Sequence, residues 1–177
     1  MMADRAHPSS APAPRGRNSD SDPASRGRDY IFRRATPADG DAVIALVFET
    51  LRSFGIEPDP DGLDADVMRF GAPDDRSAFE LVAESNGRVV GSIALRDRGD
   101  GSGHVSKFFV EARVRGQGIG RVLLAGVVAQ ARRRRLRQLD LETRSQFKAA
   151  IHLYESSGWE RGPDPKNVCD RTYLLSL

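Results

Sequence analysis

Apolar residues along this chain recur at two periods, one typical of helices and one typical of strands. A helical stripe follows Thr36-Pro37, a threonine cap with proline at the first helical position. Its apolar members are Ala42, Val43, Leu46, Val47 and Leu51. The same period recurs further along the chain and predicts four helices, over about 37–54, 63–70, 121–135 and 146–157.

Short apolar runs between these stretches predict strands. Two of the runs are separated by Asn86-Gly87, which favours a hairpin turn. The predicted strands cover 30–35, 79–84, 88–95, 105–110 and 138–142, with two more near Trp159 and at 171–175. The order β-α-α-β-β-β-α-β-α-β predicts a mixed α/β fold with α+β character, in which helices flank a mixed sheet.

The first 28 residues differ in composition from the rest of the chain. They are mostly Ala, Pro, Ser, Arg, Gly and Asp, without Leu, Ile, Val or an aromatic residue. Such a segment cannot bury enough surface to offset its ordering entropy, so we expect a disordered tail over 1–28 and one domain over 29–177. A secretory signal would need an apolar centre, and the aspartates Asp4, Asp20 and Asp22 argue against a transit peptide. We therefore expect a cytoplasmic protein.

Charge and cysteine content exclude several classes of protein. With 27 basic and 25 acidic residues the net charge is only +2, which does not indicate a nucleic-acid binder. Cys169 is the single cysteine, so the chain has neither an internal disulfide nor a cysteine-based zinc cluster, and we expect no metal. No apolar run reaches the roughly 20 residues of a membrane span, so we expect no membrane partner.

A glycine-rich turn, Arg115-Gly116-Gln117-Gly118-Ile119-Gly120, lies between a predicted strand and a predicted helix. Glycines let the backbone approach a ligand, and the N–H groups and dipole of a helix N-terminus attract phosphate. The spacing G-x-G-x-G differs from the dinucleotide fingerprint G-x-G-x-x-G, and the Lys-Ser/Thr of a P-loop is missing. What remains is R-x-x-G-x-G.

This turn resembles the acyl-CoA-binding turn of the GCN5-related N-acetyltransferases (GNAT), whose usual form is Q/R-x-x-G-x-G/A. A second segment, Leu139 to Thr143 followed by Ala149 to Trp159, is similar to the family pattern L-x-T and A-x-x-L-Y-x-x-x-G-F. Trp159 replaces the phenylalanine, and Phe147 stands where many members carry asparagine. The resemblance covers residues 30–177 and agrees with the predicted order of elements.

The resemblance implies an acyl-CoA-dependent N-acyltransferase. It would move acetyl from acetyl-CoA to a primary amine of a small molecule or peptide, by direct attack in a ternary complex. The backbone N–H groups of the turn would hold the pyrophosphate, and the preceding strand would pair with the pantetheine, its Val110 N–H facing the thioester oxygen. The implied cofactor-binding residues are Phe108, Val110, Arg115, Gly116, Gln117, Gly118, Ile119, Gly120 and Arg121.

Tyr154 is the candidate for the leaving-group side of the reaction. It shares one helix face with Phe147, Ala150 and Ile151, which is expected to point into the fold. A tyrosine pKa near 10 and a thiol pKa near 8.5 make full proton transfer to the thiolate unfavourable by about 2 kcal/mol. We therefore expect Tyr154 to donate a hydrogen bond to the leaving sulfur, with proton transfer late or partial.

The sequence leaves the general base open. Glu142 ends a predicted strand beside the expected cofactor site, Glu111 follows Val110, and His104 begins the fourth predicted strand. Each could act through a water molecule. His152 is a weaker candidate because it lies on the polar face of its helix, and Cys169, without an activating partner in sequence, is expected to be structural.

Two charged clusters leave alternatives open. The acidic residues Glu57, Asp59, Asp61, Asp64 and Asp66 follow the first helix and suggest either a cationic amine substrate or simply a polar, capped turn. A run from Arg132 to Arg135 either stays solvated at a helix C-terminus or binds nucleic acid. A non-catalytic acyl-CoA sensor is a third reading, and whether the chain forms a homodimer is left open.

Overall fold

The computed structural model describes residues 30–72, 78–165 and 168–177. The predicted tail over 1–28 lies outside these residues. The strands are β1 Tyr30–Arg34, β2 Ala78–Ser85, β3 Arg88–Asp97, β4 Ser102–Val110, β5 Gln138–Thr143, β6 Glu160–Arg161 and β7 Arg171–Ser176. The α-helices are α1 Gly40–Ser53, α2 Ile119–Arg133 and α3 Lys148–Ser156, and short 3-10 turns cover Pro37–Asp39, Val67–Arg69 and Ala112–Val114.

The strands form one mixed sheet in the order β1-β2-β3-β4-β5-β7-β6. Neighbouring strands are antiparallel except β4 and β5, which run parallel because α2 carries the chain back between them. Residues 86–87 form the predicted hairpin turn, in which both Asn86 and Gly87 have positive φ. The predicted mixed sheet with flanking helices is confirmed.

The two faces of the sheet bury separate apolar clusters. One face packs against α2 and α3, with Leu123, Val127 and Tyr154 among its buried residues. The opposite face packs against α1, through Val43 and Val47. We call these the α2/α3 face and the α1 face. Alternate residues of each strand belong to opposite faces, so the position of a strand residue determines which face its side chain joins.

Two details of the predicted helices are wrong. The segment 63–70 forms turns and one short 3-10 turn instead of an α-helix, because Leu63 and Met68 are exposed and only Val67 and Phe70 supply an apolar contact. Side-chain and main-chain groups of Asp59 and Asp64 also bond within this turn. Ala42, placed in the apolar stripe of α1, is exposed.

An arginine network at the β1 edge fixes the start of α1. Both terminal nitrogens of Arg33 donate to the two carboxylate oxygens of Asp39 at 2.8 Å, and Arg33 also binds Glu84 at 2.9 Å. Asp39 further accepts from the N–H and hydroxyl of Thr36, which is the N-cap of the Pro37–Asp39 turn and forms a capping box with Asp39. The Arg33 hydrogen bond is the main cause that lowers the pKa of Asp39 to about 2.

In the described part of the chain, no helix is long and apolar enough to cross a membrane.

Candidate active site

The glycine turn leads directly into α2. Gly116 and Gly118 have φ of 77° and 83°, a region that favours glycine, and a Cβ on either residue would meet open space. Gly118 caps α2 without any side-chain hydrogen bond to the first turn, so the leading N–H groups point outward from the helix end. The open backbone and the 15-residue helix behind it fit a pyrophosphate group.

Gly120 serves a different purpose from the other two glycines. A Cβ there would lie 3.2 Å from both Leu153 of α3 and the Phe108 ring of β4. Its missing side chain therefore lets α2, α3 and β4 approach one another. Tyr30 reaches the turn from β1, where its hydroxyl donates to the Gln117 side chain at 2.5 Å.

A cleft opens between β4 and β5 next to this turn. The two strands pair only from Ser102 and Gln138 to His104 and Asp140, and we call these three residue pairs the seam. Beyond the seam β4 continues to Val110 and β5 to Thr143 without further pairing between them. The β5-facing edge of β4 therefore offers free backbone groups to an extended ligand.

The backbone of β4 is oriented toward this cleft at the predicted positions. The N–H of Glu111 bonds to Val90 of β3 at 2.9 Å. Because successive strand residues direct their N–H groups to opposite sides, the N–H groups of Val110 and Phe108 face the cleft. The carbonyl of Val110 accepts from Arg115 Nε at 2.9 Å, which ties the end of β4 to the glycine turn.

A β-bulge interrupts β4 before it enters the cleft. Lys107 has φ of 52°, the register with β3 shifts between Ser92 and Ala94, and the Ser92 hydroxyl donates to the Lys107 carbonyl at 2.8 Å. The Lys107 side chain is buried on the α1 face, where its ammonium lies 3.4 Å from Asp66 and 3.8 Å from Glu80. The bulge thus links the active-site strand to the acidic loop.

Tyr154 lies buried on the α2/α3 face, in a group of aromatic rings. Its ring centroid is 5.9 Å from Phe108 and 6.0 Å from Trp159, so it packs beside the strand that borders the cleft. Within the described part of the chain its hydroxyl has no hydrogen-bond partner. Burial raises the pKa of Tyr154 well above the usual tyrosine value. Full proton transfer from this hydroxyl is therefore even less favourable than the sequence suggested, which leaves hydrogen-bond donation.

The base candidates occupy different places. His104 and Glu142 both project from the α1 face, since their strand neighbours Val105 and Leu141 belong to the α2/α3 core. Glu142 is exposed, whereas His104 is half-buried. Glu111 lies on the β3 side with its carboxylate 3.5 Å from Arg88, away from the cleft. The structure therefore brings His104 and Glu142, but not Glu111, to the same side of the cleft.

His104 belongs to a network that the sequence analysis missed. Its Nδ1 lies 2.6 Å from Asp140 Oδ1, and Arg98 pairs with both oxygens of Asp140. The three residues come from β4, β5 and the turn after β3. Parallel pairing of β4 with β5 sets His104 directly opposite Asp140, a register that no local pattern encodes.

The model of the Acetyltransferase (GNAT) family matches residues 44–159. The chain belongs to this family. A protein of Azospirillum brasilense named IAA acetyltransferase is 37% identical over 126 residues, which are 70% of this chain and 80% of that relative. The prediction of a GNAT acetyltransferase is confirmed.

Solved structures share the fold of this acetyltransferase at low identity. A GNAT-family acetyltransferase from Staphylococcus aureus Mu50 matches with a TM-score of 0.76 and 20% identity, over 84% of this chain and 99% of that one. The PaiA N-acetyltransferase of Thermoplasma acidophilum, solved in complex with coenzyme A, matches with a TM-score of 0.69 and 14% identity, over 84% and 99%. At these identities the likeness shows the fold.

The acidic loop of this GNAT protein is largely engaged in local contacts. Asp59 accepts from the Leu63 N–H at 3.2 Å, and Asp64 accepts from the Asp59 N–H at 2.9 Å. Asp66 lies beside Lys107, as described above. These contacts favour a turn-stabilising role, and recognition of a cationic amine remains a prediction.

Two further residues contact the ring of Phe54, which follows the last residue of α1. Phe147, in place of the family asparagine, packs edge-on against Phe54 with 4.9 Å between ring centroids. The Arg115 guanidinium lies 5.8 Å from the same Phe54 ring. Among the described residues, no group of three or more His, Cys, Asp or Glu side chains is arranged to hold a metal ion.

Proposed function

We propose that this protein transfers an acetyl group from acetyl-CoA to a primary amine, by direct attack within a ternary complex. The observation that carries the proposal is the β4/β5 cleft. It joins free backbone groups of β4 to the N-terminus of α2, where no side chain bonds to the first-turn N–H groups. An extended, phosphate-bearing thioester fits both features at once.

The donor would lie with its pyrophosphate on the N–H groups from Gln117 to Arg121 and its pantetheine along β4. The N–H groups of Phe108 and Val110, which both face the cleft, would then donate to the pantetheine and the thioester oxygen and stabilise negative charge as it develops there. Tyr154, behind Phe108, would donate a hydrogen bond to the departing sulfur.

The acceptor would approach from the α1 face, opposite Tyr154. His104 and Glu142 line this side, and either could take the proton of the attacking amine directly or through water. The relative named IAA acetyltransferase makes IAA itself one compound to test, beside amines, amino acids, polyamines and peptides.

A thiol-release screen with acetyl-CoA and this panel tests the proposal. We expect release of coenzyme A that depends on at least one acceptor and stoichiometric acetylation of that acceptor by mass spectrometry. Binding of acetyl-CoA without turnover on any acceptor would instead support the acyl-CoA sensor.

We further propose that residues 29–177 form the whole catalytic domain, that the tail over 1–28 is dispensable for it, and that the protein is cytoplasmic. Deletion of residues 1–28 is expected to leave turnover in the same screen unchanged.

A further inference from the structure

We propose that His104 is the general base of the acetyl transfer, and that Asp140 and Arg98 are positioning residues that orient its imidazole. The inference rests on the acetyl transfer proposed above and selects between the two bases left open there.

The 2.6 Å contact between His104 Nδ1 and Asp140 Oδ1 is shorter than the 3.3 Å between the same Nδ1 and Arg98 Nη2, so Asp140 is the partner that sets the role of each ring nitrogen. An ionised carboxylate only accepts, so a neutral imidazole must carry its proton on Nδ1 and donate it to Asp140. The lone pair is then on Nε2, the nitrogen that points away from this contact. A general base needs a free lone pair that points in a fixed direction. This hydrogen bond leaves the lone pair on Nε2 and fixes the orientation of the ring.

Arg98 keeps Asp140 ionised. It pairs with both oxygens, and its Nη2 lies 3.0 Å from Oδ1. Burial raises the pKa of Asp140, but the hydrogen bonds from His104 and Arg98 outweigh burial and leave that pKa below its usual value. A protonated Asp140 could instead donate to the imidazole and reverse the tautomer. By keeping Asp140 ionised, Arg98 keeps the imidazole proton on Nδ1.

The network lies at the closed end of the cleft, where β4 and β5 stop pairing. His104 and Asp140 form the last pair of the seam, so the cleft begins next to them. Their side chains belong to the α1 face, whereas Tyr154 belongs to the α2/α3 face. A thioester in the cleft would therefore have the proton acceptor on one side of the sheet and the leaving-group donor on the other.

The reaction step balances with these groups. The amine nitrogen attacks the thioester carbon, a C–N bond forms, and His104 Nε2 accepts a proton from that nitrogen through a water molecule. The C–S bond then breaks and the thiolate of coenzyme A departs, hydrogen-bonded by Tyr154. The imidazolium returns its proton to solvent and the thiolate takes one from solvent, so Tyr154 keeps its own.

The first test needs no acceptor. In ¹⁵N-resolved NMR spectra of the neutral imidazoles, the signals of His104 can be told from those of His7 and His152 by substitution of each. We expect the Nδ1–H tautomer in the wild-type protein and a mixed or reversed tautomer in Asp140→Asn. A Glu84→Gln variant, which alters another arginine-paired carboxylate on β2, should leave the His104 signals unchanged.

The second test is kinetic and uses the acceptor found in the screen. Asp140→Asn should lower kcat at neutral pH about tenfold or more, and Arg98→Gln should act in the same direction.

The charged groups around the imidazole are Arg96 and Arg98 from β3 and its following turn, and Asp140 and Glu142 from β5. Removing the Asp140 charge disfavours imidazolium, so the acidic limb of kcat/KM should move to lower pH.

The outcomes separate this inference from the proposed function. An Nε2–H tautomer in the wild-type protein, or an unshifted pH profile in Asp140→Asn, would overturn the His104 assignment. Loss of turnover in Glu142→Gln with normal turnover in His104→Gln would make Glu142 the base and leave the acetyl transfer intact. Absence of turnover on every acceptor in the wild-type protein would instead refute the proposed function itself.

Discussion

Two arginine–carboxylate networks stabilise this molecule, one at the β1 edge of the sheet and one at its centre. They differ in whether a titratable atom is left outside their hydrogen bonds. At the β1 edge, Arg33 binds Asp39 and Glu84, and Asp39 also accepts two hydrogen bonds from Thr36. At the seam, Asp140 accepts from Arg98 and His104, and one imidazole nitrogen stays outside the network.

The difference shows that arginine–carboxylate pairs can serve either stability or proton transfer. The β1 network joins Arg33 of β1 to Glu84 of β2 and to Asp39 before α1, so it holds these three elements together. The seam network leaves a titratable atom beside an open cleft. Position relative to the cleft, more than the residue types, distinguishes a structural network from one that can carry a proton.

The largest effect on turnover should come from replacing His104, whose Nε2 lies outside the hydrogen bonds of the seam network. His104→Gln keeps a polar side chain but removes the proton acceptor, and a positioned general base contributes about 100-fold or more. We expect kcat to fall by about that factor at neutral pH, with little change in Kd for acetyl-CoA, measured by thiol release and calorimetry. A loss below about threefold would place proton transfer elsewhere.

A smaller effect is expected on the opposite face of the sheet. Tyr154→Phe removes only the hydroxyl from a packed aromatic ring, so the fold should be retained. We expect kcat to fall about tenfold, because one hydrogen bond to the leaving sulfur is lost, while acetyl-CoA affinity stays the same. Single-turnover thiol release measures the step, and unchanged kcat would remove Tyr154 from the mechanism.

The β1 network should respond in stability and not in turnover. Asp39→Asn is expected to lower the free energy of unfolding by about 1–2 kcal/mol at pH 7, a value discounted for the partial exposure of Arg33. The folded-state pKa of Asp39 lies below its unfolded value of 3.8, at about 2. Its stabilisation is therefore complete above the unfolded pKa and disappears as pH falls toward 2.

Urea unfolding of both proteins between pH 7 and the acid limit checks this sign. The stability difference between wild type and Asp39→Asn should be constant at neutral pH and shrink below about pH 4. A difference that grew on acidification would contradict the assignment, and reduced kcat in Asp39→Asn would show that the two networks are not separate.

The smallest effect is expected at the outer member of the same network. Within the described ranges, the Glu84 side chain bonds to Arg33 alone, and it is more exposed than Asp39. Glu84→Gln should therefore cost about 0.5 kcal/mol or less in urea unfolding, with kcat unchanged. A cost equal to that of Asp39→Asn would mean that Arg33, and not the Thr36 contacts, accounts for the stability of the network.

Local patterns were sufficient for most of the fold. The glycine turn and the helices around it follow from short-range chemistry, as do the strands and the hairpin at Asn86-Gly87. The segment 63–70 was mispredicted, because its polar side chains bond to a turn backbone and outweigh a weak apolar stripe. The Asp140 partner of His104 was also missed, because residues 36 apart meet only through the parallel register of β4 and β5.

The three glycines of the turn also show what a motif does not reveal. Gly116 and Gly118 have the positive φ expected of a phosphate-binding loop, whereas Gly120 is required by the approach of Leu153 and Phe108. Sequence spacing treats the three positions alike. Only the packing separates the glycines that shape the loop from the one that admits neighbouring elements.

The brevity of the seam leaves few backbone hydrogen bonds between the two halves of the sheet. Three residue pairs and the His104 network join β1–β4 to β5–β7 where a continuous ladder would otherwise run. A donor molecule that lies along β4 would form hydrogen bonds where β5 does not pair with β4, and would stabilise the two halves of the sheet against separation. Thermal denaturation is thus expected to depend steeply on acetyl-CoA concentration, since a ligand that binds only the folded state adds its binding energy to stability.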